Sequence, residues 1–387
     1  MSKQTWVYIH LAAIAILFLS VANNIHWSDK KNKQIVRADA RGYYAYLPAI
    51  LLHGDVALES FKSIDPVYDQ YHPDVPIMKN IDGNWVNKYP IGESVLLSPF
   101  FGIAHVLAGI SGDPQDGYSR WYQIMVNIAG VVFLLIGLLF TNSILTKLNL
   151  LHVQRMIILW VLALGTPLFY YAIKEPGMSH VYSFALIAAF SWMVWGLRSR
   201  RRRVDFFLLG LVTGLIFITR PVNILVVLSI PFLLGDIKVL KELIQSVFQS
   251  PTLLFAGIVG LLLGAFPQLL YFYSQAGSIW VDSYPGEHFH FLDNQAINFL
   301  FSYKKGFFLY TPIAFLSLLG FWFMGKKNMF QALSLAAFLI VLIYIFSSWW
   351  SWWKCLYRCW NFTRNWNNYC KWWCLGVLWW RRWTYFY

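Results

Sequence analysis

Charge is scarce in this chain. Only 13% of its 387 residues are Asp, Glu, Lys or Arg, against about a quarter in an ordinary soluble domain, and 58% are hydrophobic. That balance excludes a soluble globular protein, because the apolar residues come in repeated runs of about 20, long enough to cross ~30 Å of hydrocarbon as helix. Ionisable side chains are nearly missing inside those runs. Only His10 lies deep in one, and no inverted repeat is visible, which argues against a transport pathway. No clear small-x-small cleavage site follows the first run, so it reads as an uncleaved anchor. All four cysteines, Cys355, Cys359, Cys370 and Cys374, fall in a C-terminal stretch that has no Asp or Glu. The net charge of +13 has no soluble basic domain behind it. It therefore belongs to cytoplasmic loops and lipid headgroups, and nucleic acid is not an expected partner.

The apolar runs predict an all-α, polytopic membrane protein with about nine spans, near 6–22, 122–144, 156–173, 181–197, 206–219, 222–234, 253–273, 309–324 and 332–346. The fifth and sixth form a helical hairpin broken at "TRPVN", where Pro221 marks the turn. Short cytoplasmic loops keep Lys and Arg. The strongest marker is "RSRRRR", Arg198 to Arg203. Lys3, the loop with Lys147 and Arg155, the loop with Lys238 and Lys241, and Lys326 with Lys327 fall on its side by span parity. The long loop 23–120, the short "KEPGMSH" and "TRPVN" turns, and the second large loop 274–308 then lie outside a plasma (bacterial inner) membrane.

The outer loops hold the unusual polar residues. In "RADARGYYAYLPAILLHGD" the spacing of Tyr43, Tyr46, Leu47, Ile50 and Leu51 predicts a short helix in the interface, aromatic side toward headgroups, holding Asp39 next to Arg41. Asp39 is a candidate for chemistry or for a plain helix cap. "NKYPIGESVLLSPFFGIAHVLAG", interrupted by Gly92, Glu93, Pro99 and Gly102, reads as re-entrant or interfacial helices, with Lys88 either functional or snorkelling. Arg220 in "TRPVN" suits two parallel hydrogen bonds to a phosphate, or the anchoring of a helix end. Lys304 and Lys305 in "SYKKGFF" depart from the positive-inside trend and point to anion binding. Glu175 and His180 in "KEPGMSH" can orient a ligand, hold a metal or join helix ends. Glu287, His288 and His290 in "GEHFH" have spacing suited to a divalent cation as cofactor, or are simply exposed on a wet loop.

An Asp-x-Arg-x-Tyr element after the first span, a Lys-x-Pro ahead of interfacial helices and a many-spanning body resemble the GT-C class of glycosyltransferases. Protein O-mannosyltransferases and lipid A aminoarabinose transferases belong to it. "EPGMSHVYSFAL", "TRPVN" and "SYKKGFFLYTP" also resemble segments of bacterial members, and the resemblance covers roughly residues 1–350. It implies a transmembrane domain over 1–349 that moves a sugar, with inversion, from a polyprenyl-phosphate donor to a hydroxyl of a glycan, lipid or protein acceptor outside the membrane.

The resemblance makes Asp39 the base that takes the acceptor proton, a service typically worth 10² to 10⁴ in rate. A phosphate leaving group is already a weak base, so no second, acidic carboxyl is required. It does need positive charge where its negative charge grows. Arg41, Tyr44, Lys88, Glu175, His180, Arg220, Lys304 and Lys305 are the expected substrate-binding residues, and no metal ligand is assigned. The alternative is a polytopic transporter or lipid flippase for an anionic or lipid-linked substrate.

Residues 350–387 do not fit the rest. A zinc site, a disulfide pair and a slipped reading frame after about 353 all remain as readings of this Trp- and Cys-rich stretch. The abrupt change of composition favours the slipped frame.

Overall fold

The structure, a computed structural model, describes residues 3–27, 35–59, 77–81, 84–284, 287–303 and 306–349. Lys304, Lys305 and the 350–387 stretch lie outside the described residues. The described chain is nearly all-α. In order, its helices are α1 Lys3–His26, α2 Asp39–Tyr44, α3 Tyr46–His53, α4 Gly92–Ser111, α5 Arg120–Lys147, α6 His152–Leu164, α7 Leu168–Ile173 and α8 His180–Gly196. Then come α9 Arg203–Thr219, a 3-10 helix Pro221–Ser229, α10 Ile230–Leu234, α11 Ile237–Gln249, α12 Pro251–Ala276, α13 Ala296–Phe301, α14 Phe307–Tyr310, α15 Pro312–Lys327 and α16 Met329–Ser347. A small antiparallel hairpin, β1 Met78–Ile81 with β2 Asn84–Asn87, pairs Met78 with Asn87 and Ile81 with Asn84.

Among the described residues five helices are long and apolar enough to cross a membrane: α1 from Thr5, α4, α5, α12 and α16. Four of these match expected spans. The other five expected spans are shorter or broken, and the breaks have a common cause. Pro lacks a backbone N–H and clashes with the preceding turn. Pro167 divides the 156–173 run into α6 and α7, and Pro312 divides the 309–324 run into α14 and α15. Pro221 and Pro231 leave the 222–234 run as a 3-10 helix followed by α10. The fifth long helix is α4, expected as more than one re-entrant or interfacial helix. It runs unbroken through Pro99 and Gly102, because apolar side chains at 97, 101, 104 and 108 give it one continuous buried stripe.

The chain divides into two compact units, one of 1–283 with 315–338, the other of the described parts of 284–314 and 339–349. In the first, Val7, Leu11, Ile14, Phe18 and Ala22 form one stripe of α1 buried against Leu134 and Leu138 of α5 and Leu159 of α6. Ile9 and Ile16, on other faces of α1, stay exposed, as expected of a helix that is apolar all round and meets lipid. The tightest seam is α9 on α12. A Cβ on Gly210 would collide with the carbonyl oxygen of Gly257, and one on Gly260 with that of Phe207. Small residues at such spacing let helix backbones touch where no hydrophobic force separates protein from lipid. In the second unit the loop 287–295 is tied to the end of α16. His290 N–H donates to Ser348 O at 2.7 Å, and Asn294 Nδ2 donates to Ser347 Oγ at 2.7 Å.

The α2–α3 segment forms helices as expected, but its aromatic side turns inward. Tyr43 and Tyr46 are buried against Tyr89, Ile218 and Tyr271, and only Leu51 of the expected lipid-facing set is well exposed. The hairpin and α12 cover the face that periodicity assigned to headgroups.

Candidate functional site

Asp39 opens α2, and the residue before it is strained. Ala38 takes φ 46 and ψ −129, a region that L side chains rarely adopt, and makes no side-chain cap. The Asp39 carboxylate does not cap the helix either. Its Oδ1 accepts a 2.6 Å hydrogen bond from the Tyr89 hydroxyl, while Oδ2 has no protein donor among the described residues.

Tyr89 is itself fixed from several directions. Its N–H donates to Asn87 Oδ1 at 2.9 Å, its carbonyl accepts from Tyr46 at 2.5 Å, and its ring packs 4.9 Å from that of Tyr43. Gly42 is required there, since a Cβ would collide with the Tyr89 ring. Asn87 Nδ2 completes the tie by donating to Gly42 O at 2.8 Å.

Arg220 ends α9 in an extended conformation ahead of Pro221, so the chain turns and its side chain leaves the helix surface. Its Nη1 lies 3.4 Å from both ring nitrogens of His180, whose ring stacks on Tyr171 with centroids 3.8 Å apart. Burial, and then the Arg220 cation, push His180 down to about 3, so it is neutral at ordinary pH and serves as a platform. No carboxylate lies within ion-pair distance of Arg220 among the described residues. Glu175 acts on Tyr171 too but already has a counter-charge, with Oε1 3.4 Å from Arg37 Nη2 and accepting from the Tyr170 hydroxyl at 2.8 Å.

The charges of Asp39 and Arg220 both act on the Tyr43 hydroxyl and on that of Tyr171, which places the two groups around one cluster. Burial pushes Tyr43 up to about 12 against the pull of Arg220. Behind Tyr43, in the first turn of α4, Glu93 is fully buried and neither carboxyl oxygen has a hydrogen-bond partner among the described residues.

Of the expected site residues, Asp39, Glu175, His180 and Arg220 are thus brought together. Lys88 stands beside them, its Nζ 5.9 Å from the centre of the Tyr89 ring. Tyr44 is not part of the group, being buried with its hydroxyl donating to Gly117 O at 2.6 Å. Arg41 is only 3% exposed, inside α2's packing. His288 and His290 are exposed, and no cluster of three metal-ligating residues occurs among the described residues. Sequence reasoning missed Tyr89, Tyr43, Arg37 and Glu93 as site residues. Tyr89 had one visible signal, its place between Lys88 and Pro90.

No protein family, curated protein or solved structure matches the chain.

Proposed function

We propose that this chain is a membrane glycosyltransferase of the GT-C kind, using a polyprenyl-phosphate sugar and acting on the outer side of the plasma membrane. The observation that carries the reading is the pair at the cluster: a carboxylate oriented by Tyr89 with one oxygen unused, and a guanidinium without a carboxylate partner among the described residues. The acceptor hydroxyl attacks the anomeric carbon, Asp39 takes its proton, the carbon–oxygen bond to phosphate breaks, and the phosphate leaves with the electron pair. Arg220 meets the charge that grows on that phosphate, in a place where burial strengthens the interaction.

The nine-span arrangement is part of this proposal. Contacts at both ends of α4 support placing it along the outer face, although its ~30 Å length is enough to cross. Its first residue, Gly92, is pressed on the Ile218–Thr219 peptide at the end of α9. Its last, Ser111, accepts from Trp121 Nε1 at 2.7 Å at the start of α5. The start of α5 also reaches the cluster's approach, with Gln123 Oε1 accepting from Val36 N–H at 2.9 Å. The basic segments support one common opposite side, since Arg201 pairs with Glu242 of α11 and the charge of Arg200 acts on Lys147.

One observation favours the transporter or flippase reading, the buried Glu93 with no hydrogen-bond partner among the described residues, because an ionisable group in an apolar helix is often part of a pathway. Transfer assays with membranes carrying Asp39→Asn separate the two readings. Loss of sugar transfer with intact insertion supports the enzyme, and retention of more than about a tenth of the activity removes Asp39 from the role of base.

A further inference from the structure

Helix α11 has two apolar stripes, and among the described residues only one of them is packed against the rest of the protein. Leu243, with Val239 and Leu240, packs into the cluster that holds Leu234, Val226 and Phe190. Ile237, Ile244 and Phe248 form a second stripe at i, i+7 and i+11, exposed by 43%, 47% and 81%. Lys241 falls on the edge of that stripe, and Lys238 on the polar side next to it, both exposed or nearly so. Asp236 is occupied as the helix N-cap, accepting from Lys238 N–H at 2.7 Å.

The only acidic side chain within α11, Glu242, is taken by Arg201 at 3.0 Å. Arg202 and Asp205 likewise neutralise each other at 2.9 Å. Arg198 lies over Trp195, and Lys238, Lys241, Arg198, Arg200 and Arg203 have no carboxylate within ion-pair distance among the described residues. The surface is therefore cationic beside an apolar ridge. The ridge ends three residues before α12, whose exposed Leu254, Phe255 and Ile258 belong to a helix able to cross the membrane.

We propose that α11 lies in the membrane interface with Ile237, Ile244 and Phe248 in the acyl boundary, and that Lys238, Lys241 and the 198–203 turn bind anionic phospholipid headgroups. A helix with one polar basic side and an apolar side at the headgroup boundary has this physical form. The pairing of Glu242 with Arg201 suits it twice, by removing a negative charge from the lipid side and by joining α11 to the basic turn.

The test uses the full chain in vesicles, with the four tail cysteines changed to serine and a spin label at Phe248→Cys or, separately, Lys238→Cys. Oxygen should relax the label at 248 more than a water-soluble nickel chelate does, with the reverse at 238. Spin-labelled phosphatidylglycerol should associate more strongly than phosphatidylcholine. That preference should fall about fivefold for each lysine removed in Lys238→Gln and Lys241→Gln, and should weaken in high salt. Equal association of the two lipids overturns the proposal. So does a label at 248 that favours the nickel chelate, or one shielded from both relaxants, which is the result expected if another protein surface covers the ridge.

Discussion

Helix α9 carries arginine at both ends, and the two ends treat it differently. At the start, Arg202 at the N-cap donates three hydrogen bonds to the Asp205 carboxylate, Arg201 reaches Glu242, and Arg198 rests on Trp195. At the end, Arg220 is half-buried over a neutral imidazole with no carboxylate in reach among the described residues. Arginines that already have a partner in this way are anchors, and the exposed pair of Arg202 with Asp205 contributes little. A cation held half out of water without a counter-charge is costly unless something anionic comes to it. On the proposed reading, the difference separates a surface that sits at headgroups from a group that receives a ligand.

The strongest way to break the comparison is at Asp39, the carboxylate that shares the Arg220 end. Asp39→Asn should lower sugar transfer by about 10² to 10⁴ while leaving the folded protein intact. Next comes the seam that holds α9 in place. A Cβ on Gly214 would collide with the carbonyl oxygen of Leu261, so Gly214→Leu should cost ~3 kcal/mol and disturb both ends together, read as a lower melting temperature in detergent.

Arg220→Lys keeps the charge but loses the planar fork, and donor affinity should fall by on the order of ten- to a hundredfold in a binding assay. His180 offers a pH test. Its folded value lies below the unfolded one, so the unfolded chain binds the extra proton first, and stability should fall as pH drops from about 6.5 towards 3. His180→Asn should flatten that slope in a pH series of thermal melts. Arg202→Gln, at the other end of α9, should change neither donor affinity nor melting measurably, because its side chain is exposed.

The sequence carried four of the long spans and part of the cluster for related reasons. Runs such as 253–273 announce themselves by composition alone. Asp39, Glu175, His180 and Arg220 stand out as polar residues at the ends of apolar runs. The side on which α2 buries its tyrosines was not legible, since that depends on Tyr89 and Tyr271, about 45 and 230 positions away in sequence. Choosing Tyr44 rather than Tyr43 had the same cause, because neighbouring positions in a short helix differ only in what packs on them. The α4 stretch looked broken because Gly92, Pro99 and Gly102 are helix breakers by propensity, yet Gly92 is needed where the backbone meets Ile218 and Thr219. Glu93 looked like an interruption of an apolar stretch, and only packing places it fully inside.

The claim that Arg220 receives the lipid phosphate while Asp39 acts on the acceptor is tested most directly by what co-purifies with each variant. Mass spectrometry of lipid extracted from purified Asp39→Asn protein should find a polyprenyl-phosphate sugar at the level of the unaltered chain or above, because binding persists and turnover stops. Arg220→Ala should lose it. An Arg220→Ala protein that retains the same lipid-linked sugar in the same amount would contradict the account.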